Sequence, residues 1–546
     1  MSSHLFVNGR IFTSVEGEPL HASFIIRDGK VQTVGDSADE KIRNSVDRIT
    51  DLEGAVVLPG LIDGHTHLIQ MGASQTKIEM LGKSALEVQK ALLNARQPSS
   101  LYLLGKSFLF DALGVPPTKA TLDEVIPDIP VFIDSADLHS CWLNSKAMEA
   151  LKICKDTPAP AGGEFVRDQD GELTGLFLET AVTEYVWPYI ASLLTLEDRL
   201  DSLDRAFAAY LVSGVTGVVD MAMDEEELVA LEEYHRRRPG GLPMRVAAHW
   251  IVSPNGTAEE RIAAVQKAAE HRDRLAKLAT PLSMSGIKII CDGVVDSCTA
   301  YLSKPYANGL LPGPIWPLDN LKPIVALADS LGLQVAIHAI GDAASSSALD
   351  AFEYAVTANP PQTMPRFRIE HLEVVSQESI KRLTKLGVVA SLQPVHADPI
   401  YQPNWRLQLG EDERCDRAFP WTEYHNSHVA FGSDAPTAPH HPFPNLYTAT
   451  TRRSGVDPSL SPSTDPRILA LDRFNLKLQK AIQYYTAGSA YSIRAADQRG
   501  TLSPGKAADF CILSIDPFAN GVETLREAQE GVSQTWIGGQ CVWKRD

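Results

Sequence analysis

Eight apolar segments, each short enough for a β-strand, recur along the middle of this chain, with helix-like stretches between most of them. Most are near-continuous runs rich in Val and Ile, which is typical of parallel strands covered on both faces. Eight strand–helix units predict an α/β fold, a (β/α)8 barrel of the TIM type. The segments are VVLPGLIDGHTH (56–67), GVTGVVDM (214–221), MRVAAHWIV (244–252), SGIKIICDG (285–293), LQVAIHAIGD (333–342), FRIEHL (367–372), GVVASLQP (387–394) and HVAFGSDAP (428–436).

The two ends of the chain differ from its middle. Residues 1–57 and 492–546 contain short apolar stretches broken by Asn-Gly, Asp-Gly and Gly-Gly pairs, which are typical of hairpin turns. We therefore expect both ends to build one small β-sandwich domain beside a barrel that spans 58–491. About 140 residues separate the first and second barrel strands, too many for a structureless loop. Residues 73–200 are predicted to form an inserted αβ subdomain over the barrel mouth.

Composition narrows the classes of function. A net charge of −18 disfavours binding to nucleic acid or to anionic membrane surfaces. The N-terminal stretch lacks the pattern of a secretory signal, and no apolar run approaches the roughly 18 residues of a membrane span. Seven scattered cysteines without a CxxC pair indicate reduced thiols. We expect a cytoplasmic protein with a small-molecule substrate, and the composition leaves a homodimer open.

Ligand-type side chains end several of the predicted strands. Residues two apart in a strand share a face and lie roughly 6.5 Å apart, so His65 and His67 point the same way at the rim where barrel enzymes carry out their chemistry. Two neutral imidazoles at that spacing suit one metal ion. Taken singly, such a histidine is better explained as a core residue, and Asp434 as the cap of the next helix. The repetition at one rim predicts a metal centre, and the further candidates are Lys288, His338, His371 and Asp434.

Lys288 needs a separate explanation. An ammonium group inside a barrel is costly to bury and cannot bind a cation. Carboxylation by CO₂ would convert its Nζ into an anion with two oxygens able to bridge two metals. The alternative is an ion pair with a nearby acid such as Asp292 or Asp296. Spacing alone leaves both explanations open.

These motifs carry a resemblance to a known group of enzymes. The segment LPGLIDGHTHL (58–68) resembles the opening motif of the amidohydrolase superfamily. The other segments are similar, in the expected order over most of the chain, to the family-3 amidohydrolases, the branch of YtcJ-like and N-substituted formamide deformylase-like enzymes. The matching stretches are PTKATLDEVIPDIPVFIDSADLHSCWLNSKAM, GIKIICDGVVDSCTA, VAIHAIGDAA, RIEHLEVVS, VVASLQPVHA, AFGSDAPTAP and GTLSPGKAADFCIL.

The resemblance implies a divalent metal, Zn²⁺ foremost, as one or two ions. It places a bridging lysine, carboxylated in relatives, at Lys288, and it assigns to Asp434 the acid of the last strand. The implied metal ligands are His65, His67, Lys288, His338, His371 and Asp434.

Five further residues are expected to contact the substrate. Three lie in the segment that the resemblance places over the pocket, and two follow the seventh predicted strand. They are His139, Trp142, Asn144, Gln393 and His396. Glu370 alternates to the other face of its strand and is interpreted as structural. Asp342 is interpreted either as the partner of a ligand histidine or as a helix N-cap.

The predicted reaction is hydrolysis. A divalent metal lowers the pKa of a bound water towards roughly 7, so that hydroxide exists at neutral pH. Asp434 would accept the proton of that water and pass it to the leaving nitrogen. The sequence therefore predicts a metal-dependent hydrolase of an amide-type carbon–nitrogen bond other than a peptide bond. A deaminase, a lactam or lactone hydrolase or a decarboxylase with the same centre remains an alternative, as does a non-catalytic barrel scaffold.

Overall fold

Eight parallel strands form the centre of the computed structural model, as the sequence predicts. Each strand pairs in parallel with its neighbour in chain order. The strands span Leu61–Thr66, Val215–Met223, Arg245–Ile251, Leu282–Ile290, Gln334–Ala339, Phe367–His371, Val389–Leu392 and His428–Phe431. The structure describes residues 3–35, 40–136, 138–160, 162–361, 366–410, 413–457, 459–460, 467–469, 471–526 and 530–545.

The first and eighth strands approach each other and nearly close the barrel. Thr66 and Ala435 form a parallel bridge, and the Asp434 amide donates to the His65 carbonyl at 2.7 Å. Two glycines permit this approach. A Cβ at Gly432 would lie 2.4 Å from the His65 nitrogen, and one at Gly64 would lie 2.5 Å from the Phe431 oxygen. The closure therefore places the end of the first strand directly beside Asp434.

Helices pack around the outside of the barrel. Those at Leu196–Val212, Glu225–Arg237 and Ala258–Leu275 each begin with a capping box, in which the cap side chain and the third helical residue satisfy each other's backbone amides. Further helices of this layer and its C-terminal extension span Leu68–Ser74, Leu318–Ser330, Asp342–Ala358, Gln377–Leu386, Trp405–Leu409, Glu413–Asp416, Pro442–Thr451, Leu478–Gln483 and Ser489–Ser492. No helix among the described residues is both long and apolar enough to cross a membrane.

A separate six-stranded mixed sheet lies within the predicted insertion. Helices Ala85–Ala95, Lys119–Asp123, Ser145–Ala150 and Trp187–Leu193 accompany it. Its strands, in spatial order, are Gly163–Arg167, Leu173–Glu179, Ser140–Leu143, Val131–Ser135, Leu103–Phe108 and Ile78–Glu79.

The ends of the chain form two further sheets, the first from N-terminal strands alone and the second from strands of both ends. One contains Lys30–Gly35, Ser23–Arg27, Ser3–Val7 and Arg48–Asp51, and helix Glu40–Arg43 precedes the last of these. The other contains Arg10–Ile11, Val56–Pro59, Phe510–Leu513, Val532–Ile537 and Gln540–Lys544.

Aromatic rings from the two ends meet in the core between these sheets. Phe510 lies edge-on to Phe6 at 5.4 Å and to Phe24 at 5.2 Å, measured between ring centroids. Of the predicted hairpins, those at Asp28-Gly29 and Gly538-Gly539 are confirmed. The hairpin prediction at Asn8-Gly9 is wrong, because the strands on either side of that pair belong to different sheets.

Candidate metal centre

The structure brings together the six residues that the sequence singles out as ligands. They lie at the C-terminal rim of the barrel, where the ends of parallel strands converge. Asp434 Oδ1 lies 3.2 Å from Nε2 of His65 and 3.2 Å from Nε2 of His67. The His371 ring lies 5.0 Å from the His65 ring and 4.4 Å from the His338 ring, measured between centroids. We call the six residues His65, His67, Lys288, His338, His371 and Asp434 the metal centre.

Lys288 reaches into the same cluster from the fourth strand. Its Nζ lies 3.4 Å from His65 Nε2, and the residue is buried. Burial lowers the pKa of Lys288 to about 8, although the Glu370 and Asp434 carboxylates act in the opposite direction. Lys288 and Asp292 form no ion pair; the Asp292 carboxylate instead accepts the amides of Gly341 at 2.8 Å and Ile340 at 3.0 Å.

The donor atoms of the metal centre suit a divalent cation. His65, His371 and Asp434 each offer a ligand atom, and these atoms lie within 4.8 Å of one another. His371 Nδ1 and Asp434 Oδ1 are buried without a correctly oriented hydrogen bond to any described residue. Such unsatisfied buried groups are costly unless a ligand compensates them. Burial alone would raise the pKa of Asp434, but the adjacent imidazoles of His65, His67 and His371 hold it well below its usual range.

Glu370 supports the metal centre from behind. Its Oε2 lies 2.7 Å from His65 Nδ1, which leaves His65 Nε2 facing Asp434 and Lys288. Arg368 holds the same carboxylate with two hydrogen bonds, of 2.6 and 3.0 Å. From the sequence alone, Glu370 is expected to have only a structural role. The structure shows that it orients one of the candidate ligands, as carboxylate partners of metal-bound histidines do.

Asp63 is a second residue whose structural role at the metal centre is not expected from the sequence. Its carboxylate accepts the amides of Ser433 at 2.9 Å and His65 at 3.2 Å, and so it ties the first strand to the turn before Asp434. The signal in the sequence is an aspartate within the apolar strand segment, two residues before the HxH pair. Asp342 lies outside the cluster, because its carboxylate accepts the amide and hydroxyl of Ser303.

A cavity opens above the metal centre and contains roughly 680 Å³ of space, including its opening to solvent. His338, His371 and Asp434 form its floor, and Phe108, Phe110 and Trp405 provide apolar wall.

Two of the predicted substrate contacts, His139 and His396, also line this cavity. His139 Nδ1 lies 2.7 Å from Glu179 Oε2, and His396 Nδ1 lies 2.8 Å from Glu373 Oε1. His396 Nε2 lies 3.5 Å from Asp434 Oδ2. Glu179 and Glu373 are not recognisable as partners from the sequence, because they stand at no regular spacing from their histidines.

The structure does not bring Trp142 and Asn144 to the cavity, because both are fully buried inside the insertion. Trp142 packs in an apolar cluster with Phe108 and Leu176, and its Nε1 donates to the Thr118 carbonyl at 2.9 Å. The Asn144 side chain makes four hydrogen bonds with backbone groups. Gln393 is buried as well and does not line the cavity.

Replacing Asn144 by alanine should destabilise the protein without altering its chemistry. Its Oδ1 accepts the amides of Val131 and Ala147, and its Nδ2 donates to the carbonyls of Ile126 and Ile129. Leaving these buried groups unpaired costs about 3 kcal/mol of unfolding free energy, which urea denaturation measures.

Asn94→Ala on the exposed face of helix Ala85–Ala95 is the matched control and should change that free energy by less than about 0.5 kcal/mol. Unchanged stability of Asn144→Ala together with a raised KM would restore the substrate-contact prediction for Asn144.

The chain matches a protein family model and is similar in sequence to known proteins. A family model described as "Amidohydrolase family" matches residues 48–543. "Protein LONG AFTER FAR-RED 3" of Arabidopsis thaliana is 30% identical over 564 residues, covering 99% of this chain and 91% of that protein. "Putative amidohydrolase YtcJ" of Bacillus subtilis is 29% identical over 559 residues, covering 98% of each.

One further relative and one solved structure are also similar to this chain. "N-substituted formamide deformylase" of Arthrobacter pascens is 23% identical over 570 residues, covering 100% of this chain and 99% of that protein. Among solved structures, an uncharacterised metal-dependent hydrolase of Pyrococcus horikoshii superposes with a TM-score of 0.75 at 29% identity, covering 96% of this chain and 99% of the other.

Proposed function

The chain belongs to the amidohydrolase family and is a metal-dependent hydrolase acting on carbon–nitrogen bonds, and we propose that it cleaves a non-peptide amide-type bond of a small molecule with Asp434 as the proton-transfer group. The observation that carries this proposal is the convergence of Asp434 with two imidazole nitrogens at 3.2 Å beneath a single cavity.

The residues of the metal centre would hold one or two divalent ions, and imidazole and carboxylate donors suit Zn²⁺. Such a metal supplies a hydroxide nucleophile at neutral pH and polarises the scissile carbonyl group. Lys288 joins this set only after carboxylation, in which its neutral amine bonds to the carbon of CO₂ and releases a proton. A pKa of about 8 keeps an appreciable fraction of this amine neutral near pH 7.5.

Asp434 is suited to move a proton. The neighbouring imidazoles keep it ionised at neutral pH, so Oδ2 is available to accept a proton from the attacking water and deliver it to the leaving nitrogen. His396 Nε2, 3.5 Å from that oxygen, is placed to contact the substrate beside the transfer. Phe108, Phe110 and Trp405 on the walls exclude water and favour a substrate with an apolar group.

A substrate panel tests the proposal. Formamides, N-acyl amines, lactams, lactones and amino-heterocycles are incubated with the purified protein, with chelator-treated protein, and with chelated protein resupplied with Zn²⁺. We expect release of an amine and a carboxylate from a formamide or N-acyl amine, lost on chelation and restored by the metal.

Other results of the panel would replace the proposal. Ammonia release from a heterocycle would identify a deaminase, and turnover of lactones or lactams alone would identify a ring-opening hydrolase. Turnover that survives complete metal removal would contradict the metal centre itself. No turnover of any class by metal-loaded protein would favour the non-catalytic scaffold.

A further inference from the structure

A second cavity lies at the end of the barrel opposite the metal centre, and we call it the basal cavity. Its wall includes Thr216, Arg245 and Leu282, which stand at or next to the first residues of the second, third and fourth barrel strands. Lys288 stands further along the strand that begins at Leu282, so at roughly 3.3 Å per residue the metal centre is about 20 Å away. The basal cavity contains roughly 940 Å³ of space, including its opening.

Three arginines supply all the charged groups that line the basal cavity. Arg245 comes from the third strand, and Arg494 and Arg499 come from the segment after helix Ser489–Ser492. No aspartate or glutamate is present among the described residues of its wall. In a chain with a net charge of −18, this cavity reverses the prevailing sign. The guanidinium groups repel one another across this partly desolvated space. An anion bound between them would relieve the repulsion and is therefore favoured.

Two nearby carboxylates, those of Asp509 and Asp329, are already engaged. Asp509, which lies behind the wall, pairs with Arg245 at 2.5 Å and also accepts the Gly538 amide at 2.7 Å. Asp329 acts on Arg494 electrostatically but is held by Arg366, whose Nε donates to it at 2.8 Å. Asp509 therefore compensates Arg245 of the cavity wall, whereas Asp329 has its guanidinium partner, Arg366, outside the lining of the basal cavity.

Arg499 lacks a compensating partner. It forms no ion pair with any described residue, and one of its terminal nitrogens donates only to the neutral Gln498 amide, at 3.2 Å. Its Nε is buried with no hydrogen-bond acceptor among the described residues. Burial, followed by the charge of Arg245, lowers the pKa of Arg499 to about 10, although Asp509 opposes this. The guanidinium is still charged at neutral pH and has donors to spare.

The rest of the wall suits an organic ligand. Thr280 Oγ1 accepts the Leu282 amide at 3.2 Å, so its hydroxyl proton remains available to a second acceptor. Ile62, Val246 and Ile493 add apolar surface. The space exceeds the needs of a bare inorganic ion, and the apolar side chains can cover a carbon skeleton.

We propose that the basal cavity binds a small organic anion through a carboxylate or phosphate group, with Arg499 as the principal contact and Arg494 and Thr280 beside it. The planar guanidinium fork matches two oxygens of either group and forms stronger hydrogen bonds to charged than to neutral acceptors. The site lies between the base of the barrel and the segment 493–499. Occupancy braces these parts together and stabilises the fold.

Titration of the full-length protein with inorganic phosphate and, separately, with succinate tests this site by thermal unfolding and calorimetry. We expect a saturable rise in Tm with at least one of the two probes, and the tighter-binding probe identifies the ligand class. Arg499→Gln should weaken that apparent affinity at least about tenfold, since it removes the charge and the fork. Arg494→Gln is measured in parallel and should weaken it as well.

Arg48→Gln, on the exposed strand Arg48–Asp51, is the matched control and should bind like the wild type. Because phosphate and succinate also coordinate divalent metals, both titrations are repeated on chelator-treated protein, where the response should persist. An unsaturable response, or an equal response in Arg499→Gln and Arg48→Gln, would overturn the proposal. None of these readouts depends on turnover, so the result stands apart from the proposed hydrolase activity.

Discussion

Replacing Asp434 by asparagine should lower kcat by about 10³-fold or more while leaving the barrel folded. Asparagine keeps the shape of the side chain and so preserves the closure between His65 and the turn after the eighth strand. It removes the negative charge that faces the two Nε2 atoms of His65 and His67, and it cannot accept the proton of the attacking water. General acid–base catalysis alone contributes roughly 10²–10⁴-fold, and weaker metal binding adds to the loss.

The measurement is kcat on the substrate found in the panel, with metal content determined on the same sample. Retained metal with lost turnover would assign Asp434 mainly to proton transfer, whereas loss of both would show that it also holds the ion. Asp342→Asn is the matched control, because Asp342 bonds to Ser303 outside the metal centre, and it should change kcat by less than about threefold. Asp434→Asn with wild-type kcat would refute the assigned role of Asp434.

Replacing Lys288 should be almost as damaging, and the choice of substitute separates the two explanations of this residue. We expect Lys288→Met to lose bound metal and to lower kcat/KM by well over 100-fold, more than the roughly 10–100-fold expected when an outer partner such as Glu370 is changed. Methionine fills a similar volume in the buried site, so the fold should survive.

Lys288→Arg provides the decisive comparison. Arginine keeps a positive charge for an ion pair but cannot be carboxylated, so the carboxylated-lysine hypothesis predicts that it fails like Lys288→Met. Wild-type metal content and activity in Lys288→Arg would show that Lys288 acts as a cation beside Glu370 and Asp434. Glu370→Gln, measured alongside, shows how much metal and activity are lost when only the residue that orients His65 is changed.

The repeating pattern of the chain determined the barrel and the rim at which its polar residues meet. Parallel strands buried on both faces must be nearly all apolar, so a polar residue near a strand end stands out in the sequence. His65, His338 and His371 were identifiable for this reason. In the structure the His371 ring lies 5.0 Å from the His65 ring and 4.4 Å from the His338 ring, measured between centroids. The spacing of His65 and His67 fixed a shared face because a strand repeats every two residues.

Only the tertiary structure decided which side chains of the insertion face the cavity. Trp142 and Asn144 lie in and directly after the strand Ser140–Leu143, every residue of which is buried, so alternation along that strand carries no information about direction. Their burial depends on partners such as Thr118 and Ile126 in other parts of the insertion.

The pairing of Glu370 with His65 and the assembly of Arg245, Arg494 and Arg499 around one cavity were also invisible in the sequence. His65 and Glu370 are 305 residues apart in the chain, and Arg245 precedes Arg494 and Arg499 by 249 and 254 residues. Local sequence sets the period and the polarity of each element. The neighbours of a side chain across the fold are set by how the barrel closes and by how the chain ends pack against it, because those contacts join positions that share no local pattern.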